Sequence, residues 1–451
     1  MPGRLPFLRG AARAVALAAA LSAAGVPATA RGLIRDAEIE RTLRRFTDPI
    51  FEAAGLGRNS VNVYILNDDR VNAFVATDRV MVLNTGLMRR FDGPAPLAGV
   101  IAHEAGHIAG GHLARRAITA GRLGPATLGV LVAAAAAAAA GGGGQAGAAI
   151  ALGGQSAIMR SFLAYTRSEE ASADQAAVTY LERAGMDPSG LLDVLDLFRS
   201  QQVFQASRID PYAQTHPLST ERIRLLERRV AAARPAPPDP DLTYWHARMQ
   251  AKLDGFLRQP ERVLSGLDAA ADPGGEPNLY RRAIAEHRMA RTDDALATLD
   301  RLLRARPRDP YYLALRGQFL LEAGRADAAV EAYRRAVDAA PDEPLIRASL
   351  GRALLASGGA GSDAEARVQL ERALRDDPGE PAALRALALA YARAGEDGLA
   401  ALASAERVAL TGDLIEAGVL ARRAAGLLPE GSPAWLRADD IVSAARRAAE
   451  R

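Results

Sequence analysis

Residues 103–116 read HEAGHIAGGHLARR, and this stretch contains three of the six histidines in the chain. His103 and His107 fit the pattern H-E-x-x-H, in which two histidines project from one face of a helix and bind one zinc ion. Glu104 lies beside them and fits the role of a general base that takes a proton from water. The alternative is a structural histidine pair, but the apolar helical pattern around the motif and the predicted sheet before it favour a zinc site.

The third histidine of the stretch raises a difficulty. A large class of zinc proteases reads H-E-x-x-H-x-x-G-x-x-H, with its third ligand ten residues after the first, whereas His112 follows His103 by nine residues. If the helix continues through Gly110 and Gly111, His112 points away from the motif histidines, because each residue turns the helix by about 100°. The glycine pair could also end the helix, but the missing residue makes His112 a poor metal ligand. We therefore expect His112 on the far face of the helix, with a structural role.

A second acidic segment supplies a better candidate for the third ligand. The segment TRSEEASADQAA (166–177) places Glu170 and Asp174 four residues apart, so both share one face of a second predicted helix. Glu170 can bind the metal, and Asp174 can accept a hydrogen bond from the second ring nitrogen of a ligand histidine. Glu169 is one position further round the helix and faces elsewhere. The alternative is a solvated acidic patch.

The N-terminus is typical of an export signal. Three arginines precede the apolar run Ala14–Val26, and the small-residue stretch PATA follows and ends at Ala30. The run is shorter than the ~20 residues of a membrane helix, so we predict a cleaved signal peptide over residues 1–30 and a periplasmic mature protein. An uncleaved anchor is the alternative. The chain has no cysteine, which excludes disulfides and a lipid-modified cysteine anchor.

The residues around the motif predict a mainly helical α+β domain. Residues 36–56 have a helical apolar pattern. Three short strands follow, at 61–65, 71–75 and 79–83. We predict that they form a small antiparallel sheet next to the motif helix, in a zinc metalloprotease domain over residues 31–232. For the uncharged segment 128–152, rich in alanine and glycine, we expect a helical hairpin over the catalytic region; a membrane-touching or lid role is the alternative.

A repeat follows a proline-rich linker at 233–240. Pro273, Pro307 and Pro341 share a period of 34 residues. This period, with small residues and an aromatic residue inside the unit, matches the helix-turn-helix of tetratricopeptide repeats. We predict an α-solenoid over residues 241–451, with three clear units and irregular flanking helices.

The charge pattern argues against nucleic-acid binding. The formal net charge is +3, and Lys252 is the only lysine among arginines that alternate with acidic residues. Recognition of nucleic acid requires a basic patch or stripe, which this pattern does not provide. His246 and His287, near and within the repeats, are expected to be ordinary structural or surface residues.

Four motifs together resemble the gluzincin zinc metalloproteases, the superfamily that includes HtpX and the CAAX prenyl proteases. They are HEAGH at 103–107, TRSEEASAD at 166–174, NAF at 72–74 and THPLSTERI at 215–223. With the export signal and the repeats, the chain is similar to the BepA-like periplasmic metalloproteases. The resemblance is strong over residues 33–230 and looser in the repeats.

The resemblance implies one zinc ion per chain, bound by His103, His107 and Glu170. It assigns Glu104 the catalytic role and places Asp174 beside the ligands. The activity that it implies is hydrolysis of peptide bonds by water that Glu104 activates.

The resemblance also implies positions for residues outside the helices. His216 approaches the metal, either as a fourth ligand that blocks water until substrate displaces it or as a stabiliser of the oxyanion; an ordinary turn histidine is the alternative. Arg222 lies near the site. Asn72, Ala73 and Phe74 resemble the substrate-facing edge strand, to which peptides add through main-chain hydrogen bonds.

The expected function is that of an exported zinc endopeptidase in outer-membrane protein quality control. Its substrates would be misfolded or stalled envelope proteins, and its repeats would bind partners such as the outer-membrane assembly machinery. Membrane contact stays open, but we expect no membrane span in the mature chain. The rival hypotheses are a chaperone-like repeat adaptor with a latent protease and a membrane-anchored protease of the same superfamily.

Overall fold

The computed structural model describes residues 32–113, 115, 156–204, 216–234, 236–268 and 272–450. The predicted signal peptide (1–30) and the predicted helical hairpin (128–152) lie outside these described residues. Among the residues that the structure describes, we find no helix with the length and apolar character needed to cross a membrane.

The chain divides into two compact units. The first contains Ile39–Gln250 together with residues 32–35, and the second contains Ala251–Arg451 together with Asp36–Glu38. The division therefore falls within the helix Pro240–Leu257, which follows the proline-rich stretch. The domain limits drawn from the sequence, including the linker, stay a prediction.

The first unit combines a small sheet with buried helices. Its strands are β1 (Leu33–Ile34), β2 (Asn62–Leu66), β3 (Ala73–Thr77) and β4 (Val80–Asn84). Its helices are α1 (Ala37–Ala53), α2 (Thr85–Arg90), α3 (Pro94–Ala109), α4 (Ser156–Ala184), α5 (Gly190–Phe204), α6 (Thr220–Ala231) and the first part of α7 (Pro240–Leu257). The predicted α+β class is confirmed.

The sheet differs from the predicted antiparallel arrangement. Its order is β1-β2-β4-β3, and β2 runs parallel to β4, while the two outer pairs are antiparallel. The reason lies in the connection between β2 and β3, which passes the end of β4. There the backbone of Asp68 bonds to the Thr85 hydroxyl and to the Gly86 amide, at 3.1 and 2.8 Å. A Cβ on Gly86 would lie 2.2 Å from the carbonyl oxygen of Asp69, so this crossing requires glycine.

The motif helix α3 lies in the core of the first unit. Every residue from Pro96 to His107 is buried, as expected for a helix that is apolar on all sides. It packs against α4, α5 and β3. The motif histidines are therefore held by a helix whose surroundings leave little freedom to move.

The second unit is a series of helix pairs. After α8 (Pro260–Asp268), its helices are α9 (Glu276–Arg288), α10 (Thr292–Ala305), α11 (Pro310–Glu322), α12 (Ala326–Ala339), α13 (Pro344–Ser357), α14 (Ala360–Asp376), α15 (Pro381–Arg393), α16 (Asp397–Leu410), α17 (Leu414–Leu427) and α18 (Pro433–Ala449). Consecutive helices from α9 onward pack as hairpins.

The predicted 34-residue period appears directly in the helix positions. The first helices of three successive pairs begin at Glu276, Pro310 and Pro344. Within the middle pair, Gly317 packs so closely on Tyr333 that a Cβ on the glycine would lie 2.7 Å from the ring. The predicted solenoid is therefore confirmed, with a continuous apolar core through these pairs.

Candidate metal centre

Helices α3 and α4 approach each other closely at a glycine of the HEAGH motif. A Cβ on Gly106 would lie 3.0 Å from the carbonyl oxygen of Ala173, closer than ordinary van der Waals contact. Ala173 lies on α4 between Glu170 and Asp174. The missing side chain at Gly106 therefore lets both carboxylates reach the histidine face of α3.

Four buried side chains from three segments meet at this contact. His103 and His107 come from α3, Glu170 from α4 and His216 from the segment before α6, and one potential ligand atom of each lies within 4.8 Å of the others. The Nε2 atoms of the two motif histidines are 3.0 Å apart, and they lie 3.3 and 3.4 Å from the Glu170 oxygens. Two imidazoles and a carboxylate directed at one point form a donor set that suits zinc.

Arg222 connects the carboxylates of α4 to the segment that carries His216. Its guanidinium donates two hydrogen bonds to Asp174, at 2.6 and 2.9 Å, and its Nη1 lies 3.0 Å from Glu170. Nη1 also donates to the backbone carbonyl of His216 at 3.3 Å. The Ser219 side chain caps α6 by accepting from the Arg222 amide, which fixes where this arginine leaves the helix.

Negative charge exceeds positive charge in the cluster. Glu104, Glu170 and Asp174 supply three buried carboxylates, and the Arg222 guanidinium contacts two of them. Buried charges are stable only where they are compensated. A divalent cation held by Glu170 and by both histidines in their neutral form would supply the positive charge that the cluster lacks, so the residues present fit a bound metal.

Burial and neighbouring charges shift the pKa values of the two motif histidines in opposite directions. Burial alone would lower the pKa of His103, but Asp174, whose Oδ1 lies 2.9 Å from its Nδ1, and Glu170 raise that pKa to about 9. Burial and then the positive charge of His103 lower the pKa of His107. His107 is thus neutral and offers a lone pair. Burial opposes ionisation of Asp174, but Arg222 outweighs it and lowers the pKa of this carboxyl.

His216 lies between the candidate metal ligands and the motif glutamate. Its Nδ1 is 3.1 Å from Glu170 Oε2 and 3.2 Å from His103 Nε2, and its Nε2 is 3.3 Å from Glu104 Oε1. The sequence motif alone would not have brought this histidine to the site, because 113 residues separate it from His103. Only the family resemblance predicted that His216 lies near the metal.

The predicted placement of His112 on the far face of the helix was wrong. Helix α3 ends at Ala109, and Gly111 adopts φ +63°, a left-handed conformation that favours glycine. The chain therefore turns back and buries His112, whose Nδ1 lies 2.8 Å from Nδ1 of His107. His112 therefore contacts Nδ1 of His107, the ring nitrogen that faces away from Glu170. Asp174 contacts Nδ1 of His103 in the same way.

Comparison with known proteins matches both units of the chain to known families. Residues 34–230 match the family model "Peptidase family M48", and residues 280–344 match the model "Tetratricopeptide repeat". The chain carries an M48 peptidase domain followed by tetratricopeptide repeats. The family that the sequence motifs predicted is confirmed.

Curated relatives match a little under two thirds of this chain. The chain is 28% identical over 289 residues to the "Beta-barrel assembly-enhancing protease" of Yersinia pestis, and 27% identical over 288 residues to the protein of that name from Escherichia coli (strain K12). Each match covers 63% of this chain and 58% of the relative, so the chain spans less than two thirds of these relatives. Among solved structures, "Crystal structure of MamA" is 20% identical and covers 37% of this chain and 94% of that chain, with a TM-score of 0.29.

The NAF segment lies at one edge of the sheet. Asn72 precedes β3, and Ala73 and Phe74 begin it, paired with Leu83 and Val82 of β4. Within the described residues, β3 has a strand on one side only. The edge lies beside α3, which packs against β3.

The positions of two residues at the site could not be read from the motif. Gly106 occupies a variable position of H-E-x-x-H, although it allows the close approach of α4. His112 was assigned a structural place on the wrong face. The pair Gly110-Gly111 was the available signal for the second residue, since adjacent glycines commonly end a helix.

Proposed function

We propose that the chain is a zinc-dependent endopeptidase. The observation that carries the proposal is the buried set of His103, His107 and Glu170 directly beside Glu104, on an M48 peptidase domain. Catalytic zinc sites use three protein ligands and leave a further position open. These three residues supply that set, and the chain would hold one zinc ion.

When bound, zinc supplies Lewis acidity that polarises the scissile carbonyl and makes water easier to deprotonate. Glu104 takes the proton from the attacking water and passes it to the leaving amine. Asp174 and His112 orient the two histidines through their Nδ1 atoms. Arg222 contacts the Glu170 and Asp174 carboxylates and holds the backbone at His216 near the site.

The edge of β3 is the proposed substrate-binding strand. A peptide that adds to this edge is held mainly by main-chain hydrogen bonds, with Asn72, Ala73 and Phe74 at its start. Main-chain recognition selects extended, unfolded segments rather than one sequence. This supports misfolded or stalled proteins as the substrate class.

The proposed setting is the bacterial periplasm. The predicted signal over residues 1–30 and the name of the relatives, which refers to assembly of β-barrel proteins, support quality control of outer-membrane proteins. The tetratricopeptide repeats would bind partner proteins, among them the outer-membrane assembly machinery. No contact with nucleic acid is proposed.

A latent protease is the second candidate, because His216 lies within the same ligand set. A fourth protein ligand would close the position that a catalytic site leaves open. In that state the repeats would act as a chaperone-like adaptor. Displacement of His216 by substrate would convert the latent form into the active one.

The deciding experiment measures zinc content and cleavage of an unfolded protein, casein, for wild type, Glu104→Gln and His216→Ala. Glu104→Gln should keep its zinc and lose activity by about 10²–10⁴-fold, the usual contribution of a general base. His216→Ala should cleave faster if His216 blocks the site and more slowly if it stabilises the oxyanion. Glu182→Gln, a partly exposed glutamate on α4, is the matched control and should behave as wild type.

Three results would separate the hypotheses. Zinc-loaded protein that cleaves nothing, even as His216→Ala, would refute the endopeptidase. Full activity in Glu104→Gln would show that Glu104 is not the general base. The membrane-anchored alternative predicts that the protein stays in the membrane pellet after carbonate extraction, whereas the periplasmic proposal predicts release.

A further inference from the structure

Glu406 is a buried carboxyl among the later helices of the repeat unit. It lies on α16 and is 5% exposed. It shares the wall of a cavity of about 390 Å³ with apolar side chains of α15 and of its own helix, Leu384, Leu387 and Leu402. Apolar surroundings solvate a charge poorly. The position of Glu406 therefore favours the neutral form of its carboxyl.

The guanidinium of Arg437 compensates an ionised Glu406 incompletely. Arg437 lies on α18, and its Nε is 3.6 Å from Glu406 Oε1. Neither of these two buried atoms has a hydrogen-bond partner among the described residues. An ion pair in the interior repays the cost of desolvation only where its geometry is good and hydrogen bonds complete it. This pair lacks the hydrogen bond, so burial outweighs the attraction.

The other ionisable groups around the cavity come from α14 and α15. They are Glu371 and Arg375 on α14 and Tyr391 on α15. The Tyr391 hydroxyl donates to Glu371 at 3.0 Å, and burial and then the charge of Glu371 raise the pKa of Tyr391. Of the described residues that line the cavity, none comes from α17, which also packs against α16. Arg437 is therefore the charged group that acts on Glu406.

The pKa of Glu406 follows from these surroundings. Burial raises it from the ordinary value of 4.5 to about 7, against the opposing effect of Arg437. When the helices open, water reaches the carboxyl and its pKa returns towards the ordinary value. The stabilisation by the neutral carboxyl is therefore complete below pH 4.5 and is lost as the pH rises to about 7.

We propose that Glu406 is a pH-sensitive lock between α16 and α18. With the carboxyl neutral, the two helices keep the packing seen in the structure. When the carboxyl gives its proton to water, a poorly compensated charge remains in the apolar wall. Opening of the helices relieves this cost because it brings water to both Glu406 and Arg437. The lock belongs to the repeat unit and does not depend on the proposed protease activity.

Hydrogen exchange of the full chain, measured by mass spectrometry near pH 5 and near pH 8, tests this proposal. Dividing each rate by the intrinsic exchange rate at the same pH gives the opening equilibrium of a segment. In the wild type, peptides from α16 and α18 should lose protection by up to about 70-fold between the two pH values, as follows from the two pKa values. Peptides from α11 and α12 in the same sample are the internal reference and should keep their protection.

Three variants separate Glu406 from other titrating groups. Glu406→Gln keeps the shape without a charge, so α16 and α18 should stay protected near pH 8. Glu416→Gln, at an exposed position on α17, is the matched control and should show the wild-type loss. Arg437→Gln removes the opposing cation, so protection should continue to fall above about pH 7, where the wild type levels off.

Two results would overturn the proposal directly. One is an equal loss of protection in the wild type and in Glu406→Gln. The other is a wild type in which α16 and α18 change no more than the reference helices. If Glu406→Gln does not fold, Arg437→Gln decides the question, because a loss of protection that levels off at the wild-type pH would also overturn the proposal.

Discussion

Replacing Gly106 by alanine tests whether the close approach of α3 and α4 assembles the metal centre. The added Cβ would lie 3.0 Å from the carbonyl oxygen and 3.1 Å from the Cα of Ala173. Both are backbone atoms of α4, so they cannot rotate away as the end of a side chain can. Relief requires α4 to move by a few tenths of an ångström, and Glu170 and Asp174 move with it.

Two opposing effects set the stability of this variant. Alanine is favoured over glycine inside a helix by about 1 kcal/mol, whereas overpacking a tight core contact costs about 1–3 kcal/mol. The contact therefore outweighs the helix preference by up to about 2 kcal/mol. For a unit of this size, that is a fall in the melting temperature of up to about 8 °C. Because the ligand on α4 shifts, we expect zinc affinity to fall about 10–100-fold, as with other changes that misalign ligands.

Gly99→Ala is the matched control for this prediction. Gly99 lies on the same helix, and its Cβ would also lie 3.0 Å from a neighbour, but that neighbour is Leu191 of α5. No residue of the candidate site lies on α5. We therefore expect a comparable change in melting temperature with wild-type zinc affinity. The measurements are thermal melting and competition with a chromophoric chelator, and equal zinc affinity in the two variants would refute the reasoning.

Two other substitutions test contacts that the sequence did not reveal. His112→Ala should lower zinc affinity about tenfold in the same chelator assay, because His107 loses the group at its Nδ1; wild-type affinity would show that His112 does not orient the ligand. Gly317→Ala should destabilise the repeats by about 1–3 kcal/mol in urea unfolding through contact with a ring of the partner helix. A Cβ at Gly426 in α17 would face open space, so Gly426→Ala should instead stabilise the repeats by up to about 1 kcal/mol. If both substitutions changed the free energy of unfolding in the same direction, the packing argument would be contradicted.

Local patterns predicted the elements better than their arrangement. Alternating apolar residues located β2, β3 and β4 to within two residues, because alternation follows directly from a half-buried strand. The order of the strands depends on where the connection between β2 and β3 crosses. That crossing is set by Gly86 and the Asp68 backbone, which no periodicity marks.

The site shows the same limit at the level of side chains. The spacing of His103 and His107 is a property of one helix, so sequence alone could state it. Glu170 was predicted as the third ligand because it shares a helix face with Asp174 and because a zinc site needs a third protein ligand. His216 lies on a segment without regular structure before α6, where spacing carries no geometric information. His112 was misplaced because its position depends on a helix end that two glycines allow but do not require.

The wide sequence separation of the site residues links catalytic competence to the folded state. His103 and His216 are 113 residues apart, and Glu170 and His216 are 46 apart, yet each pair is within about 3 Å in the structure. Loop-closure entropy opposes such contacts in an unfolded chain. The metal-binding candidates and Glu104 therefore come together only after α3, α4 and the segment before α6 have packed. Under the proposed function, an incompletely folded copy of the chain would therefore be inactive.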